Sequence, residues 1–500
     1  MPARKSRQSY LRDPRLAFGV ATLAFAAAWF FGISNRAPLA SVKIEAVRSS
    51  GISSVLTAGV SDMFNTILVL AAAAGCYIIC LLALRREFRY RWAFAIAGSI
   101  VVAAAALPVM PLTSPDTTHF AADVRTLWLH HQNPTEFSGV PAKQDDPVAR
   151  EVRTFSGAPS GYGPLAYLIG GVTLPFVGDG LRANVFGQKV LASLMLLATA
   201  IAAGLVAKRL GRNPAFATAA VGMNPMFIWQ FPGDGHNDAI MAAFGTFALL
   251  FLIRRDWPRR GSGAALAAAA VLTKFSLVLA APVVATAWFP KLRVVIAGVV
   301  GIGGVIALVV FFSGVKPEVG TVGPFEGITR NSPWYLLFNG FDLQGRSHDV
   351  TLAICYSGAL ISIALVCLFH RFDTEQDIVD AIALVLALFL FFFAPTLRQW
   401  YQIWAFPAVA LTSRRWLRHG GFTFSIMGFA PVIALNWQVS LSQQVGLSHP
   451  VEVAIVIAWL VTISVAFMRW YRDRPRSARQ TLRARRPSAA RSRAKLARAR

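Results

Sequence analysis

Several stretches of this 500-residue chain are apolar over the thickness of a bilayer, among them Leu16–Ile33, Met63–Leu84, Val294–Ser313 and Val451–Met468. A helix rises about 1.5 Å per residue, so runs of this length cross, or nearly cross, ~30 Å of hydrocarbon. Lipid offers no partner to a free backbone N–H or C=O, so a crossing run must be helical. Composition agrees: 55% of residues are hydrophobic and only 15% charged, whereas soluble domains carry about a quarter charged residues. The expected fold class is therefore an all-α integral membrane protein, a polytopic bundle of about 13–14 transmembrane helices with juxtamembrane helices on its outer face.

The net charge of +25 is concentrated. Residues 469–500 hold 13 Lys or Arg against one Asp. They offer almost no large apolar side chain for burial, so they read as a disordered basic cytoplasmic tail attracted to anionic lipid. No aromatic residues interleave with the charges as nucleic-acid binding would require, and no nucleic-acid partner is expected. Cys76, Cys80, Cys355 and Cys367 all lie in apolar runs and read as small buried hydrophobes. The first apolar run follows a basic stretch but lacks a clear cleavage site, so it reads as an uncleaved first helix.

Basic loops mark the cytoplasmic side of a membrane protein. Placing Arg85–Arg91, Lys208–Arg212, Arg254–Arg260, Lys291–Arg293, Arg414–Arg418 and the tail inside fixes most of the threading. The third helix, Trp92–Leu112, then emerges outside and delivers Thr113–Gly163 there. Two runs break the parity. Pro164–Gly178 cannot cross without turning Lys208–Arg212 outward, so it is expected to be a juxtamembrane or re-entrant helix on the outer face. Ala264–Phe289 is expected to be two short helices turning near Lys274. Thr396–Gln402 and Gly314–Val350 also fall outside.

Polar groups at membrane depth are expensive, so their placement is informative. Ser114-Pro115-Asp116-Thr117-Thr118-His119 follows the third helix, with Asp123, Arg125 and Asn133-Pro134 beyond it. Gly233-Asp234-Gly235-His236-Asn237-Asp238 separates two apolar helices. Lys274 and Arg398-Gln399-Trp400-Tyr401 reach the same side. Acids and bases from separate segments meeting at one interface can form an active site. Singly, each has a plainer reading: Asp116 as a helix cap, the Gly233–Asp238 stretch as a polar turn, Lys274 as a snorkelling residue, Trp400-Tyr401 as an interfacial anchor. His130-His131 reads as loop surface, and Gly298, Gly301, Gly303 and Gly304 as close helix packing.

Taken together the segments resemble the GT-C superfamily of polyprenyl-phosphate-sugar-dependent glycosyltransferases, and within it bacterial lipoglycan mannosyltransferases. In that family an Asp ends an early helix, matched by Asp116, and a long outer loop then runs to a Tyr-x-Pro-Leu helix, matched by Tyr162-Gly163-Pro164-Leu165, with Gly163 where a second Pro is common. An Asn-Pro helix ending in a Gly-x-Asn/His-Asp turn is matched by Asn224-Pro225 and Gly235–Asp238. Thr-Lys is matched by Thr273-Lys274, and Trp-Tyr-x-x-Trp by Trp400-Tyr401-Gln402-Ile403-Trp404. The motifs fall between residues 92 and 412. They imply three regions: an N-terminal transmembrane extension (1–91), a catalytic transmembrane module (92–468) and the tail (469–500).

The resemblance implies transfer of a sugar, mannose at family level, from a polyprenyl-phosphate donor to a hydroxyl of a glycan or glycolipid acceptor. The reaction would run with inversion on the outer face of the plasma membrane. Asp116 would be the general base, and Lys274 and Arg398 would hold the donor phosphate. His236, Asn237, Asp238, Tyr162, Trp400 and Tyr401 would bind sugar or acceptor. Phosphate leaves readily, so the second, protonating carboxylate of a glycosidase is not needed. No Asp-x-Asp occurs at 114–118, and no metal or other cofactor is expected. The lipid tail would lie in a groove opened by the broken Ala264–Phe289 hairpin. Two alternatives remain: a transporter or flippase of a lipid-linked sugar, and a surface-glycan polymerase or ligase.

Overall fold

A computed structural model describes residues 13–40, 60–135 except 115, 145–152, 161–312 except 255, 346–437 and 449–473, with isolated positions at 332, 334, 441, 442 and 445. The helices, in chain order, are α1 (Pro14–Trp29), α2 (Val60–Leu84), α3 (Arg91–Ala106), α4 (Asp116–Trp128), α5 (Pro147–Glu151), α6 (Pro164–Gly170), α7 (Leu181–Arg209), α8 (Pro214–Gly222) and α9 (Asp238–Leu252). They continue with α10 (Trp257–Thr273), α11 (Ala281–Trp288), α12 (Arg293–Phe312), α13 (Arg346–Phe369), α14 (Glu375–Leu388), α15 (Phe406–Leu411), α16 (Arg415–Met427), α17 (Phe429–Asn436) and α18 (Pro450–Asp473). Among the described residues the one bridge between extended segments joins Pro38 and Val109.

Seven helices among the described residues are long and apolar enough to cross a membrane, and α3, α9 and the segments 164–176 and 275–288 form shorter apolar helices. The protein is a polytopic all-α membrane protein. Its outer surface is greasy where lipid would lie: on α12, Val294, Val299, Ile302 and Val309 are each more than half exposed. Gly301, Gly303 and Gly304 of that helix face α13, where an added Cβ would come within 3.3–3.9 Å of Ser357, Leu360, Ile361 and Ala364. Gly298 faces open space instead.

Helix starts are written locally. Asn213 caps α8 by accepting the Phe216 N–H, and Thr374 and Asp377 form a reciprocal capping box on α14. Such side-chain oxygens bond the N–H groups that the first turn leaves free. At the core, α7 runs past α3, α8 and α9, and α1 docks its aromatic residues inward: Phe18 meets Phe94 edge-on, and Trp29 meets Trp229.

The bundle has two distinct ends. Arg85, Arg209, Arg212, Arg260 and Arg415 lie at one, the basic end. The turns before α4 and α9 lie at the other, because α3, α7 and α9 each run from one end to the other. The expected irregularities sit as anticipated. Chain 164–176 starts beside Thr273, lies across α4 through the Trp128 indole N–H bonded to the Tyr167 carbonyl at 3.0 Å, and leads into α7 at the same end, so it does not cross. Chain 257–288 rises through α10, breaks at Lys274 (φ −159°, ψ 130°), and returns by a 3-10 segment and α11. Trp288 closes that hairpin at the basic end by bonding the Leu252 carbonyl at 3.1 Å.

One expectation is corrected. Asp116 does not close the third helix. Helix α3 stops at Ala106, Leu107–Thr113 follows, and Asp116 is the first residue of a new helix, α4. Pro108 and Pro111 cannot supply the N–H groups a continuing helix needs. Asp123, expected in a loop, is instead buried on α4 with its Oδ2 2.9 Å from His119 Nδ1. The tail from 474, residues 136–144 and 153–160 of the loop expected after Thr113, and nearly all of the loop expected at 314–350 lie outside the described residues.

Candidate active site

The non-helical Leu107–Thr113 segment has backbone groups to satisfy, and two buried ions satisfy several of them. The Lys189 ammonium donates to the carbonyls of Leu107, at 2.6 Å, and Val109. The Asp234 carboxylate accepts the N–H of Leu112 at 2.8 Å and of Thr113 at 3.2 Å, and the Thr113 hydroxyl besides. Thr117 in turn donates to the Asp234 carbonyl. Buried backbone polar groups require such partners. Asp234 thus latches the approach to α4 onto the turn before α9. Sequence reasoning gave Lys189 and Asp234 no role. Lys189 was visible only as a lone cation in an apolar span.

That turn is shaped by Asn224-Pro225. Asn224 caps the short Pro225–Ile228 helical turn and donates to the Ser425 hydroxyl at 2.8 Å. A π turn, Trp229–Gly233, follows. Gly235 has φ +81°, and a Cβ there would press on Lys189 and Thr117 at 2.8 Å. Only glycine takes that conformation without strain. The turn then delivers His236, Asn237 and Asp238 in succession.

His236 stacks on Trp400 with ring centroids 3.7 Å apart, and its Nδ1 lies 4.0 Å from Asp116 Oδ2. Burial drives its pKa down to about 4, against the nearby charges of Asp116 and Asp238, so the ring is neutral near pH 7. Asp238 opens α9, and its Oδ1 accepts from Lys274 Nζ at 3.0 Å and from Trp404 Nε1 at 2.7 Å. Lys274 is also boxed by aromatic rings: Tyr401 at 4.4 Å, Trp404 at 5.1 Å and Tyr162 at 5.3 Å from the ring centroids. Tyr401 and Trp404 stack on each other at 4.0 Å. Arg398, just before the 3-10 segment Gln399–Trp404, lies 6.0 Å from the Trp400 ring.

Tyr162 is held by a close backbone approach. Gly163 N–H donates to the Thr273 carbonyl at 3.0 Å, and a Cβ on Gly163 would stand 2.0 Å from the Leu272 carbonyl oxygen. Neither Pro, which has no N–H, nor a larger residue fits there. This accounts for glycine in place of the second proline common in the resembling motif. Phe120 and Tyr167 back the ring, with Phe120 edge-on to Tyr162 at 5.5 Å.

The structure thus brings together Asp116, His236, Asp238, Lys274, Tyr162, Trp400 and Tyr401, with Asn237 in the same turn and Arg398 at the edge. Of these, Asp116 stays accessible, with a quarter of its side chain exposed. Both ring nitrogens of His236, Asn237 Nδ2 and Asp238 Oδ2 are buried without a hydrogen-bond partner among the described residues. Unsatisfied buried polar atoms are costly, and here they adjoin one another. Arg125 belongs elsewhere: its guanidinium holds Asp146, through Nε at 2.8 and 3.0 Å, and Asp179 at 2.8 Å. His130 adds a 3.1 Å contact to Asp146. Arg125 and His130 therefore pin the segment around α5. Among the described residues no three His, Cys, Asp or Glu gather closely enough to hold a metal ion.

Beside Lys274 an apolar cavity of about 630 Å³ runs between α9, α10, α11 and α14, lined among others by Gly245, Leu249, Val271 and Leu277. Trp404 belongs to both places, bordering the cavity and bonding Asp238.

Comparison with known proteins matches this architecture to a family. The alpha-(1->6)-mannopyranosyltransferase family, N-terminal domain, matches residues 17–290, more than half the chain and starting within α1. Alpha-(1->6)-mannopyranosyltransferase A of Corynebacterium glutamicum is 32% identical over 123 residues, 25% of this chain. The chain covers 24% of that relative's length. No solved structure matches. On the extent of the family match, the chain belongs to the alpha-(1->6)-mannopyranosyltransferase family.

Proposed function

We propose that the protein transfers mannose from a polyprenyl-phosphate donor to an acceptor hydroxyl on a glycan or glycolipid, forming an α-(1→6) linkage as the relative's name describes. The observation that carries this reading is the meeting of Asp116, Asp238 and Lys274, from three separate segments, with Trp404 linking Asp238 to a large apolar cavity.

Each part of the donor has a fitting environment. The polyprenyl chain suits the cavity of about 630 Å³ within the 257–288 hairpin. The phosphate suits Lys274, with Arg398 near. The mannose suits the unpartnered atoms of His236, Asn237 and Asp238 and the faces of Trp400, Tyr401 and Tyr162. Asp116 accepts the acceptor hydroxyl's proton as the new O–C1 bond forms. The C1–O bond to phosphate breaks, and the phosphate leaves with the electron pair toward Lys274. Attack opposite the leaving group inverts C1. Cations aimed at the departing charge stabilise the transition state more than the ground state. Sidedness follows from the basic end: with Arg85, Arg212 and Arg415 in the cytoplasm, Asp116 faces the outer side of the plasma membrane.

Incubation of membranes with radiolabelled polyprenyl-phosphate mannose tests the reading. Label is expected in a mannosylated product with the wild-type protein and is lost with Asp116→Asn. Equal labelling by both would overturn the assignment of the base. No labelling by either would overturn the donor.

A further inference from the structure

At the basic end, far from Asp116, a second apolar groove of about 330 Å³ opens between α14, α16 and α18. Leu388, Phe391, Gly420 and Ala466 line it, and Trp416 and Trp470 stand at its mouth. Gly420 lets the two walls approach, since a Cβ there would lie 3.1 Å from Ala466 Cβ. Phe391, Phe424 and Trp459 pack edge-on at 4.6–6.1 Å and close its deep end.

Cations flank the groove residues on both helices, Arg415 and Arg418 on either side of Trp416 and Leu417, and Arg469 next to Trp470. Arg415 lies 3.8 Å from Asp473 and ties the start of α16 to the end of α18. Arg212 and Arg418 both donate to the Thr412 carbonyl, at 3.0 and 3.3 Å, so their guanidiniums crowd one oxygen. Burial, and after it the charges of Arg212, Arg85 and Arg415, push the pKa of the Arg418 guanidinium down, as burial and then Arg469 push down that of His419 one residue further along. The acid beneath them is already engaged. Asp380 accepts from Gln376 at 2.7 Å, the Thr412 hydroxyl at 2.9 Å, the Ser413 N–H at 2.7 Å and the Ser413 hydroxyl. Sidedness asks only that arginines lie at this end. It does not ask that two of them share one carbonyl oxygen or that three adjoin one groove, where like charges repel.

We propose that the groove and its arginines form a binding site for one anionic phospholipid of the leaflet at the basic end. An acyl chain lies along Phe391 and Ala466, and the phosphodiester sits among Arg415, Arg418 and Arg469. Trp416 and Trp470 take the interfacial depth that amphipathic rings prefer. Charge-assisted bonds to phosphate supply the selectivity over zwitterionic lipid.

The test uses the full-length protein in detergent and a phosphatidylglycerol bearing a diazirine at its acyl terminus. Photolabel is expected on peptides from the deep end, around Phe391 and around Trp459 of α18, rather than at Trp416 and Trp470. The same reagent on phosphatidylcholine should label this site about tenfold less, a ratio that one charge-assisted contact supplies. Replacing Arg415, Arg418 and Arg469 by Gln should remove the preference. Ile463→Trp, a change at a lipid-exposed groove position, should remove the acyl label with the arginines intact. Equal labelling by both lipids, or labelling unchanged in either variant, would overturn the proposal. So would displacement of the label by inorganic phosphate alone, which would make the corner a free-phosphate site. Thermal unfolding of each variant establishes that it is folded before labelling is compared.

Discussion

Asp238 Oδ1 and Lys274 Nζ stand 3.0 Å apart, and the same oxygen also takes the indole N–H of Trp404, which borders the apolar cavity. The lysine's charge is therefore neutralised in the structure, and a donor phosphate must share or displace that carboxylate. Lys274→Met is expected to raise the donor KM and lower kcat. Removing a charge-assisted contact costs on the order of 1.5–3 kcal/mol. Stability should respond as a pair: Lys274→Met and Asp238→Asn each destabilise, and the double variant loses less than their sum, because breaking a buried pair strands one charge. Thermal unfolding of the four proteins measures the coupling, and strict additivity would argue against a working pair.

Asp116→Asn keeps size and some hydrogen bonding but cannot take a proton at neutral pH. A loss of kcat of ~100-fold or more is expected, in line with general-base contributions, with donor binding little changed. Asp123 is unsuited as the comparison because it is buried against His119. Asp256→Asn serves instead, since that carboxylate is exposed beside Arg259 at the basic end. Steady-state rates decide. Retained activity in Asp116→Asn with loss in Asp238→Asn would move the base to the other turn.

Gly163→Ala places a methyl where the Leu272 carbonyl oxygen now lies 2.0 Å away. The strand carrying Tyr162 must then shift from Thr273. We expect a lower unfolding temperature and a drop in activity larger than that of Gly178→Ala, where nothing lies within 4 Å. Equal behaviour of the two variants would show that the approach at residue 163 can relax.

The buried, neutral His236 gives a pH signature. Its pKa is pushed down to about 4 by burial, against ~6.5 in an unfolded chain. Between those values the unfolded state binds more protons, so stability is fully present above pH ~6.5 and declines as pH falls through that window. His236→Gln should show a shallower fall in unfolding temperature from pH 7 to pH 5 than wild type. Parallel curves would mean that His236 does not contribute.

Sidedness can be read with single cysteines in an otherwise cysteine-free protein. Asp179→Cys, on the exposed segment before α7, should react with an impermeant thiol reagent from outside intact cells. Arg259→Cys, at the basic end, should not. The reverse pattern would invert the threading.

Much of this was legible before any coordinates. Apolar length marked the membrane class, and parity of the basic loops identified both the non-crossing chain after Pro164 and the break at Lys274. The motif order brought Asp116, His236, Asp238, Lys274 and Trp400 to one place. What remained hidden depended on tertiary partners. Val109, Met110 and Leu112 look like the end of a span, and only the latch onto Asp234 and Lys189 shows that the helix has already stopped. Asp123 falls in a loop by sequence alone, whereas forming α4 sets His119 one turn before it, and Arg125 meets Asp146 only once α5 packs on α4. The roles proposed for Arg398 and Asn237 still rest on their positions beside the cluster.

The bond from Gly163 to Thr273 carries a consequence for biosynthesis. A chain made from its N-terminus inserts Asp116 and Tyr162 well before residue 273 emerges, and Trp404 follows much later still. Until then the acid has no neighbouring cation and the tyrosine has no docking edge. A ribosome-bound intermediate can therefore be threaded through the membrane and still lack an assembled centre. Competence arrives late, when the returning hairpin and then the aromatic wall close on Asp116 and Tyr162.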